Sequence, residues 1–202
     1  MNSDNKQSAA EAEQESSWIR AAQANDPQAF DQLIRRYQNK VFNLCYRMLA
    51  DYEEANDCAQ ETFVKIYRSL KHFRQESSFA TWLYTIAVNT CKNRMQSAAY
   101  RRRKKMLSLD PPGEAEEGGR LPEIADPAPS PLAQLAMQER DALLQRAIDA
   151  LPEEARIIIV LRDVEGLPYE EITRIMGYPL GTVKSRLARA RQQLREQLKG
   201  VI

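Results

Sequence analysis

A proline- and glycine-broken acidic stretch in the middle of the chain limits the fold more than any other feature. Residues 106–133 hold Pro111, Pro112, Gly113, Gly118, Gly119, Pro122, Pro127, Pro129 and Pro131, with Asp110, Glu114, Glu116, Glu117, Glu123 and Asp126 against the single Arg120. Such a segment cannot bury enough apolar surface to offset the entropy of ordering it. It is expected to be a flexible acidic linker, which leaves residues 18–105 and 134–202 as two small domains. Residues 1–17, polar and acidic without an apolar run, are expected to be a disordered tail. A single large enzyme core is excluded by this division. Neither piece alternates apolar and polar residues with a period of two, whereas both repeat apolar positions at three- and four-residue spacing. The expected fold class is all-α, two helical domains on a linker.

The formal net charge of +1 announces no polyanionic partner, so any nucleic-acid argument rests on where the charges sit. Cys45, Cys58 and Cys91 are odd in number and lie in apolar, helix-like surroundings, and His72 is the only histidine, so no metal-ligand set is formed. Reduced, packed thiols in a cytosolic protein are the expectation. No apolar run approaches the length of a membrane span. No paired carboxylates, nucleophile constellation or glycine-rich phosphate loop is present, so neither an enzyme nor a cofactor is expected.

In the first piece, Asp26-Pro27 opens a helix whose apolar stripe is Phe30, Leu33, Ile34, Tyr37, Val41, Cys45 and Met48. A second helix from near Asp51 buries Ala55, Ala59, Phe63, Ile66 and Leu70 and turns Asp57, Gln60, Glu61 and Lys65 outward. A third carries Phe79, Leu83, Ile86 and Thr90 inward, with Thr81, Thr85, Val88, Asn89 and Lys92 on an acid-free opposite face. It runs toward the cluster Arg101, Arg102, Arg103, Lys104 and Lys105. Alone, such a cluster is more often a solvated, flexible tail. Beside it stand Tyr67, Phe73, Phe79, Trp82 and Tyr84, interleaved with Lys71, Arg74 and Lys92, and rings beside cations are what stacking on unpaired bases requires. At least half of these rings, Phe79 among them, are assigned to core packing.

In the second piece, Tyr169, Ile172, Ile175 and Met176 mark a short helix, Gly177-Tyr178-Pro179 a break, and Val183, Leu187, Ala190 and Leu194 a long helix. This is a helix-turn-helix, with Gly177 as a left-handed C-cap and Pro179 at the start of the second helix. At about 100° per residue, the positions farthest from that core are Ser185, Ala188, Arg189 and Gln192, flanked by Lys184, Arg186 and Arg191. Arg matches guanine O6 and N7, Gln matches adenine, and Ser or Lys takes a phosphate or a base edge.

The segments Asp57-Cys58-Ala59-Gln60-Glu61-Thr62-Phe63 and Phe79-Ala80-Thr81-Trp82-Leu83-Tyr84-Thr85-Ile86-Ala87-Val88-Asn89 resemble regions 2.2 to 2.4 of extracytoplasmic-function sigma factors. Leu151-Pro152-Glu153-Glu154, Gly166-Leu167-Pro168-Tyr169-Glu170-Glu171-Ile172 and Gly181-Thr182-Val183-Lys184-Ser185-Arg186-Leu187-Ala188-Arg189-Ala190-Arg191 look like regions 4.1 and 4.2 of the same family. The resemblance implies an alternative sigma factor whose partners are bacterial core RNA polymerase, promoter DNA both duplex and single-stranded, and an anti-sigma factor released by an envelope or environmental signal. On these residues it implies a polymerase-clamp contact at Asp57, Gln60, Glu61 and Phe63. It implies minus-10 binding by Phe73, Trp82, Tyr84, Asn89, Lys92 and Asn93, with Arg101, Arg102, Arg103 and Lys104 on upstream duplex phosphates. Minus-35 binding falls to Thr182, Lys184, Ser185, Ala188, Arg189 and Gln192, and the acidic linker is implied to thread toward the polymerase cleft. Two other readings explain less. An autonomous helix-turn-helix regulator needs no aromatic loop, and a helical adaptor without a DNA role needs no basic face.

Overall fold

Two aspartates start the second and third helices of the chain. Asp26 Oδ1 accepts from the backbone N–H groups of Gln28 and Ala29, and Asp51 Oδ1 from that of Glu54, so each removes orphan donors at a helix start. The structure, a computed structural model, describes residues 3–97, 100 and 131–199. All regular elements among them are helical: α1 (Ser3–Gln23), α2 (Pro27–Leu49), α3 (Tyr52–Ser69), a 3₁₀ turn (Leu70–His72), α4 (Phe79–Gln96), α5 (Pro131–Asp149), α6 (Glu153–Ile159), a π-helical segment (Val160–Val164), α7 (Tyr169–Met176) and α8 (Leu180–Leu198). Most of the expected linker lies outside the described residues, as does the Arg101–Lys104 cluster; α5 starts inside the linker's last residues.

The expected disordered tail is replaced by a helix from Ser3 onward. Its cause is α2: Glu15 accepts from the Tyr37 hydroxyl at 2.7 Å and pairs with Arg36 at 3.1 Å, while Glu11 reaches the same guanidinium at 3.3 Å. Ile19 and Ala22 then bury against the core. Two of the acidic residues that read as tail, Glu11 and Glu15, are partners of Arg36 on α2.

A second difference lies in α4. Thr81 and Val88, expected on an outward face, are 1% and 0% exposed. Helices α2 and α3 pack on one side of α4 and α7 on the other, so burial follows two faces and no single stripe marks the inside. Thr85, Asn89, Lys92 and Asn93 retain access to solvent there, as does half-buried Trp82.

The two groups of helices share one continuous hydrophobic cluster. Its polar centre is Arg156, 6% exposed. Its guanidinium donates to the carbonyls of Met48 at 2.7 Å, Asp149 at 2.5 Å and Leu151 at 3.2 Å, and pairs with the Asp149 carboxylate at 2.9 Å. Tyr100 donates to Leu49 O at 2.8 Å. The last carbonyls of α2, which have no partner within their own helix, are thus capped by side chains from later in the chain. Arg47 of α2 contacts Asp141 and Gln145 of α5, and Gln145 returns a bond to Arg47 O at 3.3 Å.

Cys45, Cys58 and Cys91, one each from α2, α3 and α4, are all reduced and fully buried. Hydrogen bonding to Cys91, then burial, pushes the Cys58 thiol far above its ordinary range, and Cys91 is raised by its bond to Cys45. Thiolate is the reactive form, so these groups are protected. A thiol reagent at neutral pH is expected to label none of them in the native protein and all three after denaturation. Rapid native labelling at Cys58 or Cys91 would contradict this packing.

Candidate nucleic-acid interface

The loop before α4 is fixed from both ends. Gln23 Nε2 donates to Leu70 O at 3.0 Å and to Phe73 O at 2.9 Å, and Ser78 Oγ accepts from Thr81 N at 3.1 Å to cap α4. Phe73 stacks on Trp82 with centroids 4.8 Å apart and meets Phe79 edge-on at 5.7 Å, while Phe79 also faces Tyr37 at 5.5 Å. This ring cluster sorts the candidates. Phe73 is core at 8% exposure, and Trp82, half-buried, is the ring that reaches the surface. Asn89 and Asn93 lie exposed on α4 with half-buried Lys92 between them. The Asn89 amide makes no hydrogen bond to another described residue.

Tyr84 does not join that surface. It is 3% exposed and donates to Glu165 Oε2 at 2.6 Å, across the contact between α4 and the second group of helices. Burial, then the bond to Glu165, raises its hydroxyl far above the usual tyrosine range. Burial raises the Glu165 carboxyl in turn, against the lowering effects of Tyr84 and Lys40.

On α3, Asp57, Gln60 and Glu61 are exposed, and Phe63 is half-buried against the core. Glu61 pairs with Lys65 at 2.8 Å and lies 3.7 Å from Arg94, which holds Glu54 at 3.1 Å. Two neighbours extend this face: Val64, which the sequence pattern did not single out, and Tyr67, expected among the base-stacking rings. Val64 and Tyr67 are 47% and 59% exposed, at i+4 and i+7 from Gln60, so they continue its face as an apolar strip. Helical spacing from Gln60 was the available signal.

The helix-turn-helix forms as its turn residues demand. Gly177 adopts φ 70° and its N–H caps Thr173 O. The space around it is open, so a side chain there is opposed by the left-handed backbone alone. Val183, Leu187 and Ala190 bury, leaving Lys184, Ser185, Ala188, Arg189 and Gln192 exposed and Thr182 half-buried.

The cations of α8 are not equivalent. Arg186 lies over the Tyr178 ring at 4.2 Å and pairs with Glu154; Arg191 pairs with Asp163 through two bonds. Lys184 Nζ sits over the Tyr169 ring at 5.6 Å. Ser185 Oγ donates to Thr182 O at 3.1 Å, and Gln192 to Glu196 at 2.7 Å. The Arg189 side chain has no hydrogen bond, ion pair or ring contact among the described residues. A cation projected from a rigid helix without an internal partner is available to a groove edge.

Both groups of helices match known proteins. The family model described as sigma-70 region 2 matches residues 33–104, and that for sigma-70 region 4 matches residues 141–194. The RNA polymerase sigma-H factor of Pseudomonas aeruginosa is 37% identical over 94% of this chain and 96% of its own length. The ECF RNA polymerase sigma-E factor of Salmonella typhimurium is 39% identical over 91% of this chain and 94% of its own. Among solved structures, the Bartonella quintana sigma factor RpoE, determined in complex with the anti-sigma factor NepR, aligns with TM-score 0.60 and 26% identity over 85% of this chain and 97% of that one. Both regions in family order, and relatives matched over nearly their full length, show that the chain belongs to the extracytoplasmic-function sigma factors of the sigma-70 family.

Proposed function

We propose that this sigma factor directs core RNA polymerase to promoters through two separate reading surfaces: a single-strand pocket around Trp82 and Asn89 on α4, and a major-groove face of Lys184, Ser185, Ala188 and Arg189 on α8. The exposed outer face of α8, free of acidic residues from Lys184 to Gln192, on a correctly capped helix-turn-helix carries the reading. Such a face offers a guanine-matched guanidinium and short side chains that let the backbones approach. On α4, an exposed amide beside an accessible indole is suited to an unstacked base, recognised on its edge and stacked on the ring. Lys92 and Asn93 extend this surface, and Arg101, Arg102, Arg103 and Lys104 take phosphates of the adjoining duplex, adding affinity and salt dependence but no sequence choice. Phe73 supports Trp82 from beneath. Tyr84 reaches DNA only after α7 leaves α4.

The α3 face of Asp57, Gln60 and Glu61, continued by Val64 and Tyr67 and backed by Phe63, binds a helix of the polymerase clamp, its acids supplying register and its apolar strip the buried contact. Residues 18–105 and 134–202 act as the two functional domains, on either side of an acidic tether that enters the polymerase cleft. The protein works in the cytoplasm as a non-catalytic initiation subunit. The solved RpoE relative, bound to an anti-sigma factor, supports the same mode of control here.

Run-off transcription with core polymerase on a randomised promoter library tests the division of labour. Asn89→Ala is expected to relax selection at the minus-10 element about 10-fold while leaving minus-35 selection as in the wild type, the scale of one lost base-edge contact. Equal, unselective loss at both elements would sink the single-strand reading. Tight promoter binding by the chain without polymerase would instead favour an autonomous regulator.

A further inference from the structure

Tyr169 opens α7 and is half-buried, with two cations against its ring. The Arg162 guanidinium lies 4.8 Å from the ring centroid, and Lys184 Nζ, from the exposed face of α8, lies 5.6 Å from it. Arg162 is itself fixed, donating to Leu167 O at 2.7 Å. It stands on the π-helical segment, whose next residue, Asp163, holds Arg191 of α8. A lysine on a helix surface samples many rotamers, and holding it in one of them costs side-chain entropy. A ring in contact with the ammonium restricts that sampling before any ligand arrives, and it does so without neutralising the charge as a carboxylate would. Arg186 and Arg191 are held by carboxylates and Lys184 by a ring alone, so Lys184 keeps its full charge for a ligand.

We infer that Tyr169, backed by Arg162, is a positioning residue for promoter recognition: its ring presents the Lys184 ammonium to an acceptor oxygen of the minus-35 duplex. This rests on the proposed minus-35 reading of α8 and adds a residue that does not itself touch DNA. The ring is the working part. Phenylalanine keeps it, and leucine keeps much of the apolar volume without it.

The test measures promoter affinity of the reconstituted holoenzyme at fixed salt for the wild type, Tyr169→Phe, Tyr169→Leu, Lys184→Ala and the Tyr169→Leu/Lys184→Ala pair. The upfield ring-current shift of the Lys184 ε-methylene protons is recorded in the full free chain. Tyr169→Phe is expected to match the wild type in both measurements. Tyr169→Leu is expected to abolish the shift and weaken binding about threefold, the scale of one exposed cation–ring contact. In the Lys184→Ala background the leucine substitution is expected to add nothing. If Lys184→Ala weakens binding but leucine costs a further threefold on top of it, the ring acts independently of the lysine and the inference is overturned while the minus-35 reading stands. If Lys184→Ala binds as the wild type does, the reading of α8 at that position fails and the inference fails with it.

Discussion

Replacing Arg156 with alanine is expected to cost about 3 kcal/mol of stability, the scale of removing one partner from a buried, hydrogen-bonded ion pair. The guanidinium is almost wholly enclosed and serves three carbonyls and a carboxylate at once. Alanine leaves the carbonyls of Met48 and Leu151 without this donor and opens a gap between α2 and α6. A planar fork with several donors cannot be copied by an ammonium, so lysine at this position is expected to recover no more than about half of the loss. Urea unfolding followed by helical circular dichroism reads the change as a lower midpoint. A midpoint for Arg156→Ala equal to that of the wild type would show that the carbonyls are served by water and that the apolar cluster alone joins the two groups of helices. A pair of labels on α3 and α8 is expected to move apart in this variant before the helices melt, because Arg156 links the end of α2 to the second group.

This arginine also marks where the sequence was silent. Helix starts and stops were legible because their causes are local: Asp26, Asp51 and Gly177 act on backbone groups within three or four residues, and each does what its position predicts. The α8 core of Val183, Leu187 and Ala190 follows the same short-range logic, since one face of that helix packs and the other does not. Arg156 bonds a carbonyl 108 positions away, a pairing that no local pattern announces. Helix α4 resisted periodicity for a related reason, because α7 covers a side of it that the sequence left to solvent. Tyr84 is the consequence: among aromatic neighbours it reads as a stacking ring, yet it is bound to a glutamate on a distant segment. The sorting of the α8 cations was hidden in the same way. Lys184, Arg186, Arg189 and Arg191 look alike in sequence, yet Lys184, Arg186 and Arg191 find partners on α6, α7, the turn before α8 and the π-helical segment, and the Arg189 side chain finds none among the described residues.

That sorting gives Arg189 the largest expected effect on promoter choice. Substitution with alanine is expected to reduce discrimination between a matched and a mismatched minus-35 element about 10- to 100-fold, the value of one good guanidinium–base contact. Arg186→Ala, which removes a cation already committed to Glu154 and the Tyr178 ring, is expected to change discrimination less than Arg189→Ala does. The salt dependence separates base reading from phosphate binding. A guanidinium on a base edge contributes little to counterion release, whereas one on a phosphate adds close to one unit to the slope of log affinity against log salt. Holoenzyme carrying Arg189→Ala should therefore lose selectivity at nearly constant slope. A slope that falls by about one unit with selectivity retained would move Arg189 to the backbone and leave Ser185 and Lys184 as the base readers. Charge reversal gives the sharper contrast: Arg189→Glu places a carboxylate against the acceptor-rich edge of guanine and should abolish use of minus-35-dependent promoters. A helical adaptor with no DNA role would tolerate that change without loss.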